Sequence, residues 1–185
     1  GIEPAYVMMD DEKGGYLATK YILQLGHKKI AGIFKADDLQ GVKRQAGFSA
    51  ALSDYGVPLG KGFLGNYNTD QLSYYPYQFI RSLLQREDRP TAIVCYNDQI
   101  ALHALEAIRD LGLKVPEDIS LVGYDDSNLA LASEVKLTTI RHPKEDMGRE
   151  AARMLIYMLK ERMSKPSLIY EPELIVRSSC RGLST

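Results

Sequence analysis

Cysteine is scarce: Cys95 and Cys180 are the two in a chain of 185 residues. They have neither metal-ligand spacing nor a framework pattern, so a disulfide-stapled scaffold is excluded and both read as reduced structural thiols. An excess of one charge is also missing. The 23 Lys and Arg nearly cancel the 24 Asp and Glu, and no basic stripe with interleaved aromatics marks a nucleic-acid surface in this segment. No apolar run approaches the roughly 18 residues of a membrane helix. The start shows neither the basic nor the apolar region of a secretory signal, so a cytoplasmic location with no membrane partner is expected. Signatures of chemistry are equally thin. HExxH and CxxC for metals, GxSxG for a serine nucleophile, GxxxxGK for phosphates and GxGxxG after a strand are all absent. Neither a metal, a cofactor nor an enzymatic activity is expected.

What is present is alternation. Short apolar runs that read as strands ("YVMMD", "KKIAGIF", "GFLGNY", "TAIVCY", "DISLVGY", "KLTTIR", "PELIVR") are separated by helical patterns. That order is the mark of βαβ units around a mainly parallel sheet, an α/β fold. The first helix places Leu17, Ala18, Tyr21, Ile22 and Leu25 on one face and stops at Gly26. A second spans Gln40 to Tyr55, and "DQLSYYPYQFIRSLLQ" reads as a third, with Pro76 near its start or kinking it. "DQIALHALEAIRDLG" is the clearest, with Asn97 placed as N-cap and Gly112 as terminator. Its apolar residues Ile100, Ala101, Leu102, Ala104, Leu105, Ala107 and Ile108 cover more than one face. One face suits the sheet and the other a second copy, which predicts a two-fold homodimer; burial of the whole helix within one lobe is the alternative. Pro143 opens a long amphipathic helix, and "ERMSKPS" reads as an exposed turn.

In an open α/β sheet, ligands bind outside the carboxyl ends of the strands, where loops diverge and helix N-termini present free N–H groups. At those positions stand "KADDLQGVKR", "NTDQ", "NDQ" and "DDSN". Carboxylates, a carboxamide and a guanidinium converging on one edge suit a polyhydroxylated ligand, because each sugar hydroxyl both donates and accepts. Each of these residues also has a purely structural alternative. Asp125 would serve as a helix cap or salt-bridge partner, Asn97 as an N-cap alone, and Arg44 as a solvated surface residue. Asp126 should point away from Asp125 on an extended segment and cap the following turn. Replacing Asp125 or Arg44 by Ala should then cost roughly 1.5–3 kcal/mol of affinity and leave the fold intact.

At this point the chain resembles the effector-binding half of the lactose and galactose repressor family of bacterial transcription regulators. The resemblance is carried by "GGYLATKYILQLGHKKI", "GVKRQAGFSAAL", "PTAIVCYNDQIALHAL", "GLKVPEDISLVGYDDS", "LTTIRHP", "MGREAARML" and "EPELIVRSS". Within the family, "GIFKADDLQGVKRQAGF" and "EVKLTTIRHPKEDMG" resemble the arabinose-responsive members. The resemblance implies a two-lobed fold like the periplasmic sugar-binding proteins. Residues 1–11 and 138–170 would be part of the N-terminal lobe, whose early portion is missing here, and 12–137 with 171–185 would form the C-terminal lobe. It also implies a sugar effector, L-arabinose foremost, whose binding releases operator DNA held by an N-terminal head outside this segment. By the same resemblance, Arg44, Asn97 and Asp125 would contact the sugar, Tyr67 would lie beside its ring or else be a core-edge aromatic, and His142 would contact it or brace the hinge. The rival reading is a periplasmic sugar-binding protein of a transport system with the same architecture.

Overall fold

Apolar strands separated by amphipathic helices bury their surface by aligning in one parallel sheet with helices on both faces. The computed structural model of the chain describes residues 5–161 and 167–183. Strand β1 (Tyr6–Met9) leads into α1 (Asp11–Gln24), followed by β2 (Ile30–Lys35) and α2 (Leu39–Asp54). Strand β3 (Leu64–Tyr67) passes through a 3-10 turn (Thr69–Gln71) to α3 (Tyr75–Leu84), and β4 (Ala92–Cys95) leads to α4 (Asp98–Asp110). Then come β5 (Ser120–Val122), α5 (Asn128–Ala132), β6 (Thr139–Arg141), α6 (Lys144–Glu161), β7 (Ser167–Tyr170) and β8 (Glu173–Ile175).

Strands β3, β2, β4 and β5, in that spatial order, form a parallel sheet. Its central side chains Ile33, Phe34, Ile93, Val94 and Leu121 are almost wholly buried. Each such apolar side chain contributes about 1.5–3 kcal/mol on removal from water. From β2 the chain moves outward to β3, and from β4 it moves the opposite way to β5. Neighbours that diverge in this manner leave a crevice outside their carboxyl ends, the usual place for a ligand. On one face α1 and α2 cross closely because Gly15 and Gly47 lie at the contact. An added Cβ would collide with the Arg44 carbonyl at the first and the Glu12 carbonyl at the second.

The remaining strands make two smaller ribbons. β1 runs parallel to β7, with α6 against β1, and β6 runs antiparallel to β8. β6 is also tied to the end of β5, through Gly123 N–H to the Thr138 carbonyl (2.9 Å) and Asp125 N–H to the Ile140 carbonyl (2.8 Å).

The structure departs from what the sequence predicts at α3, β7, α5 and α4. The helix expected from residue 70 begins at Tyr75, with Pro76 in its first turn, where a missing N–H costs nothing. β7 and the short α5 were not anticipated. The apolar residues of α4 are buried within the chain except Leu102, which is partly buried, so the internal alternative accounts for most of that surface. The turn expected at "ERMSKPS" falls mainly on residues 162–166, outside the described residues. By contrast, Asn97 caps α4 by accepting the Ile100 N–H (3.0 Å), and Gly112 follows the helix at φ 70°. On α6 the apolar face is largely uncovered, Leu155, Ile156 and Leu159 being 58%, 53% and 75% exposed.

Candidate functional site

Arg44 stands at the crevice between β2 and β4. Its helix starts where Asp38 accepts the Gly41 N–H (2.6 Å), a cap that sets which residues of α2 turn inward. Arg44 is 2% exposed and is not the solvated surface residue of the structural alternative. Its Nε donates to Asp11 Oδ1 and its Nη1 to the Tyr96 carbonyl, each at 2.8 Å. The guanidinium lies 3.6 Å from the centre of the Tyr124 ring and 4.8 Å from that of Tyr96. A buried guanidinium is tolerable only when partnered on this scale. Its Nη2, 3.8 Å from Asp125 Oδ1, is beyond hydrogen-bond distance and donates to nothing else among the described residues.

Asp125 forms the other half. Its φ of 105° and the 48° of Asp126 lie in the left-handed region that side chains other than glycine rarely adopt. Asp125 Oδ1 is 3.4 Å from His142 Nδ1, and Oδ2 is 3.4 Å from Lys144 Nζ. Burial works against its charge, but the His142 ring and the Arg44 and Lys144 cations outweigh that and hold the carboxyl below the ordinary range. At neutral pH Asp125 is therefore a carboxylate that only accepts hydrogen bonds. Beside it opens a concavity of about 600 Å³ lined by Asp125, Asn128, Arg141, His142, Lys144 and Glu145, a size that suits a small ligand.

Of the five expected residues, the structure brings Arg44, Asp125 and His142 into one cluster. Asn97 follows Tyr96 in the chain at the same edge; its Oδ1 is used by the helix cap, and its Nδ2 has no acceptor among the described residues. Tyr67 is 2% exposed at the end of β3 and meets Tyr96 edge-on, ring centres 6.2 Å apart, so it reaches the cluster through that ring. Asp126 does not cap the following turn. It accepts from Arg177 (2.5 Å) and lies 3.6 Å from Arg141 Nε, because its positive φ removes the extended alternation on which that expectation depended.

Sequence reasoning missed Asp11, Tyr96, Tyr124 and Lys144. A signal existed for the tyrosines, since one directly precedes both Asn97 and Asp125 at the strand ends. Tyr96 also donates its hydroxyl to Asp38 (2.8 Å), which Lys35 approaches at 3.1 Å, so the caps of neighbouring turns are linked. Asp11 and Lys144 pair with residues far away in the chain, and nothing local announces them.

Comparison with known proteins agrees with this geometry. Residues 19–180 match the family described as periplasmic binding protein-like domain. The chain is 52% identical over 181 residues to the arabinose metabolism transcriptional repressor of Geobacillus stearothermophilus, a match covering 96% of this chain and 50% of that protein. It is 47% identical over 185 residues to the repressor of the same name from Halalkalibacterium halodurans, covering 96% and 49%. Among solved structures it is similar to the transcriptional regulator CelR in its cellobiose complex, at 34% identity and a TM-score of 0.86 over 95% of this chain and 54% of that one. It is also similar to a LacI family regulator from Enterococcus faecium with bound ribose, at 29% identity and a TM-score of 0.85 over 96% and 66%. The chain spans about half the length of the curated relatives it matches. It belongs to the periplasmic binding protein-like domain family, in the form that domain takes in LacI-family transcriptional regulators.

Proposed function

We propose that this chain is the effector-sensing part of a bacterial transcriptional repressor and that its effector is a sugar, L-arabinose foremost. The observation that carries the proposal is the Arg44–Asp125 pair: an uncommitted Nη2 set 3.8 Å from a carboxylate that faces an open concavity. A sugar hydroxyl placed between them accepts from the guanidinium and donates to the carboxylate. Asn97 offers its free Nδ2 and His142 its ring, while Tyr67 supports the aromatic side of the site through Tyr96. Charge-assisted hydrogen bonds of this type contribute roughly 1.5–3 kcal/mol each. The choice of arabinose rests on the names of the two relatives at 52% and 47% identity. Those names also favour a cytoplasmic sensor over a transport receptor of the same architecture.

Residues 1–11 and 138–170 are assigned to a first lobe and 12–137 with 171–185 to a second. His142 and Lys144 then reach Asp125 from the first lobe. Sugar that binds one arrangement of the lobes better than the other shifts the population and releases operator DNA from an N-terminal head outside this chain; equal affinity for both arrangements would shift nothing. For a two-fold homodimer, the support narrows to the outer edge of α4, where Leu102 is only partly buried, and to neighbouring α5, whose Leu129 and Leu131 are 40% and 52% exposed. Titration calorimetry of the full-length protein against a panel of pentoses and hexoses tests the effector. Selective heat with L-arabinose is expected, and silence across the panel contradicts the sugar reading.

A further inference from the structure

Asp98 is 1% exposed and takes no part in the site described above. Its carboxylate accepts three hydrogen bonds, from the Ser127 N–H (2.8 Å), the Ser127 hydroxyl (2.9 Å) and the Thr139 hydroxyl (2.7 Å). None of these donors is a cation. A buried carboxylate without a cationic partner is expensive to keep, and burial indeed pushes the Asp98 carboxyl above its ordinary pKa despite the donors from Ser127 and Thr139. Gly123 makes room for it, since a Cβ there would collide with Asp98 Oδ1. These partners surround one residue. The Asp98 N–H donates to the Tyr124 carbonyl (2.8 Å), and the Thr139 hydroxyl oxygen that is bound to Asp98 accepts the Asp126 N–H (3.3 Å). Tyr124, Asp126 and Ser127 are thus each fastened to Asp98, directly or through one hydroxyl, while Asp125 between them sits at φ 105°. A residue so far into the left-handed region stays there only when its surroundings over-determine it.

We infer that Asp98 is a positioning residue for the ligand site, fastening the turn on both sides of Asp125 so that its carboxylate faces Arg44 and the concavity. The inference rests on the proposed role of Asp125 as a sugar acceptor. The same carboxylate joins α4 to the crossing strand β6 through Thr139, so displacement of β6 is felt at Asp125.

The test uses full-length protein carrying ¹³C-labelled aspartate, with the Asp125 signals assigned by their loss in Asp125→Asn. Asp98→Asn is compared with Ser179→Ala. Ser179 also makes buried hydrogen bonds, accepting from the Thr138 N–H (2.8 Å) and donating to the Leu121 carbonyl (2.6 Å), but among the described residues it makes none with residues 124–127. In ligand-free protein, Asp98→Asn should shift the Asp125 Cα and Cβ signals and Ser179→Ala should not. By calorimetry, Asp98→Asn should weaken L-arabinose binding by about ten-fold or more, with Ser179→Ala near normal. If Asp98→Asn fails to fold, Thr139→Val removes one of the three donors and should move both readouts in the same direction. Unmoved Asp125 signals in both turn variants overturn the positioning role whatever the sugar does. Shifted signals with arabinose affinity unchanged, in these variants and in Asp125→Asn, overturn the sugar-acceptor reading and with it this inference.

Discussion

Arg44 and Asp125 differ in what their substitution should do, because one is buried among partners and the other borders an open concavity. Removing the Arg44 side chain leaves Asp11, itself 5% exposed, without its cation. Breaking a buried pair in this way costs about 3–5 kcal/mol of stability, so Arg44→Ala should lower the thermal midpoint clearly. The sequence-based expectation of an intact fold does not survive that burial. Arg44→Lys keeps the charge but loses the fork that serves Asp11 and Tyr96 together; a smaller loss of stability and a clear loss of sugar affinity are expected by scanning calorimetry and titration. Both residues were visible beforehand as polar groups at strand ends. Their burial and the positive φ of Asp125 were not, because contacts with Asp11, Tyr124 and β6 come from distant positions and have no local pattern.

Among the elements, the packing of α1 on α2 decides where Arg44 stands. Gly47→Ala places a methyl group against the Glu12 carbonyl, and backbone cannot yield as a flexible side chain does. Overpacking of this kind costs about 1–3 kcal/mol. It should also weaken sugar binding by moving α2, a combination checked by measuring unfolding and affinity on the same variant. An unchanged affinity would show that the site does not depend on this crossing. Helices and strands with long, clean periodicity, such as α4 and β2, were legible in the residues. β7 and α5 were not: the four residues of β7 directly follow a stretch that reads as a turn, and the five of α5 hold little more than one helical turn. The two apolar faces of α4 were read correctly as faces, but α3, α5 and the sheet take up most of the surface assigned to a second copy.

For the whole molecule, the proposal joins a sugar site to an assembly that responds to it. If α5 and the outer edge of α4 contact a second copy, Leu131→Lys should raise the dimer dissociation constant in sedimentation experiments without changing the unfolding midpoint, since Leu131 is 52% exposed. A dimer insensitive to that change would place the interface elsewhere. The proposed sugar site depends most on Asp125 accepting hydrogen bonds from the sugar. Asparagine is nearly isosteric and tolerates positive φ, so Asp125→Asn should keep the fold while losing the charged acceptor. Titration of full-length wild type and Asp125→Asn with L-arabinose should show a loss of roughly 1.5–3 kcal/mol in binding free energy, or about ten- to 150-fold in affinity. Equal affinity in the two proteins would show that Asp125 does not accept hydrogen bonds from the sugar.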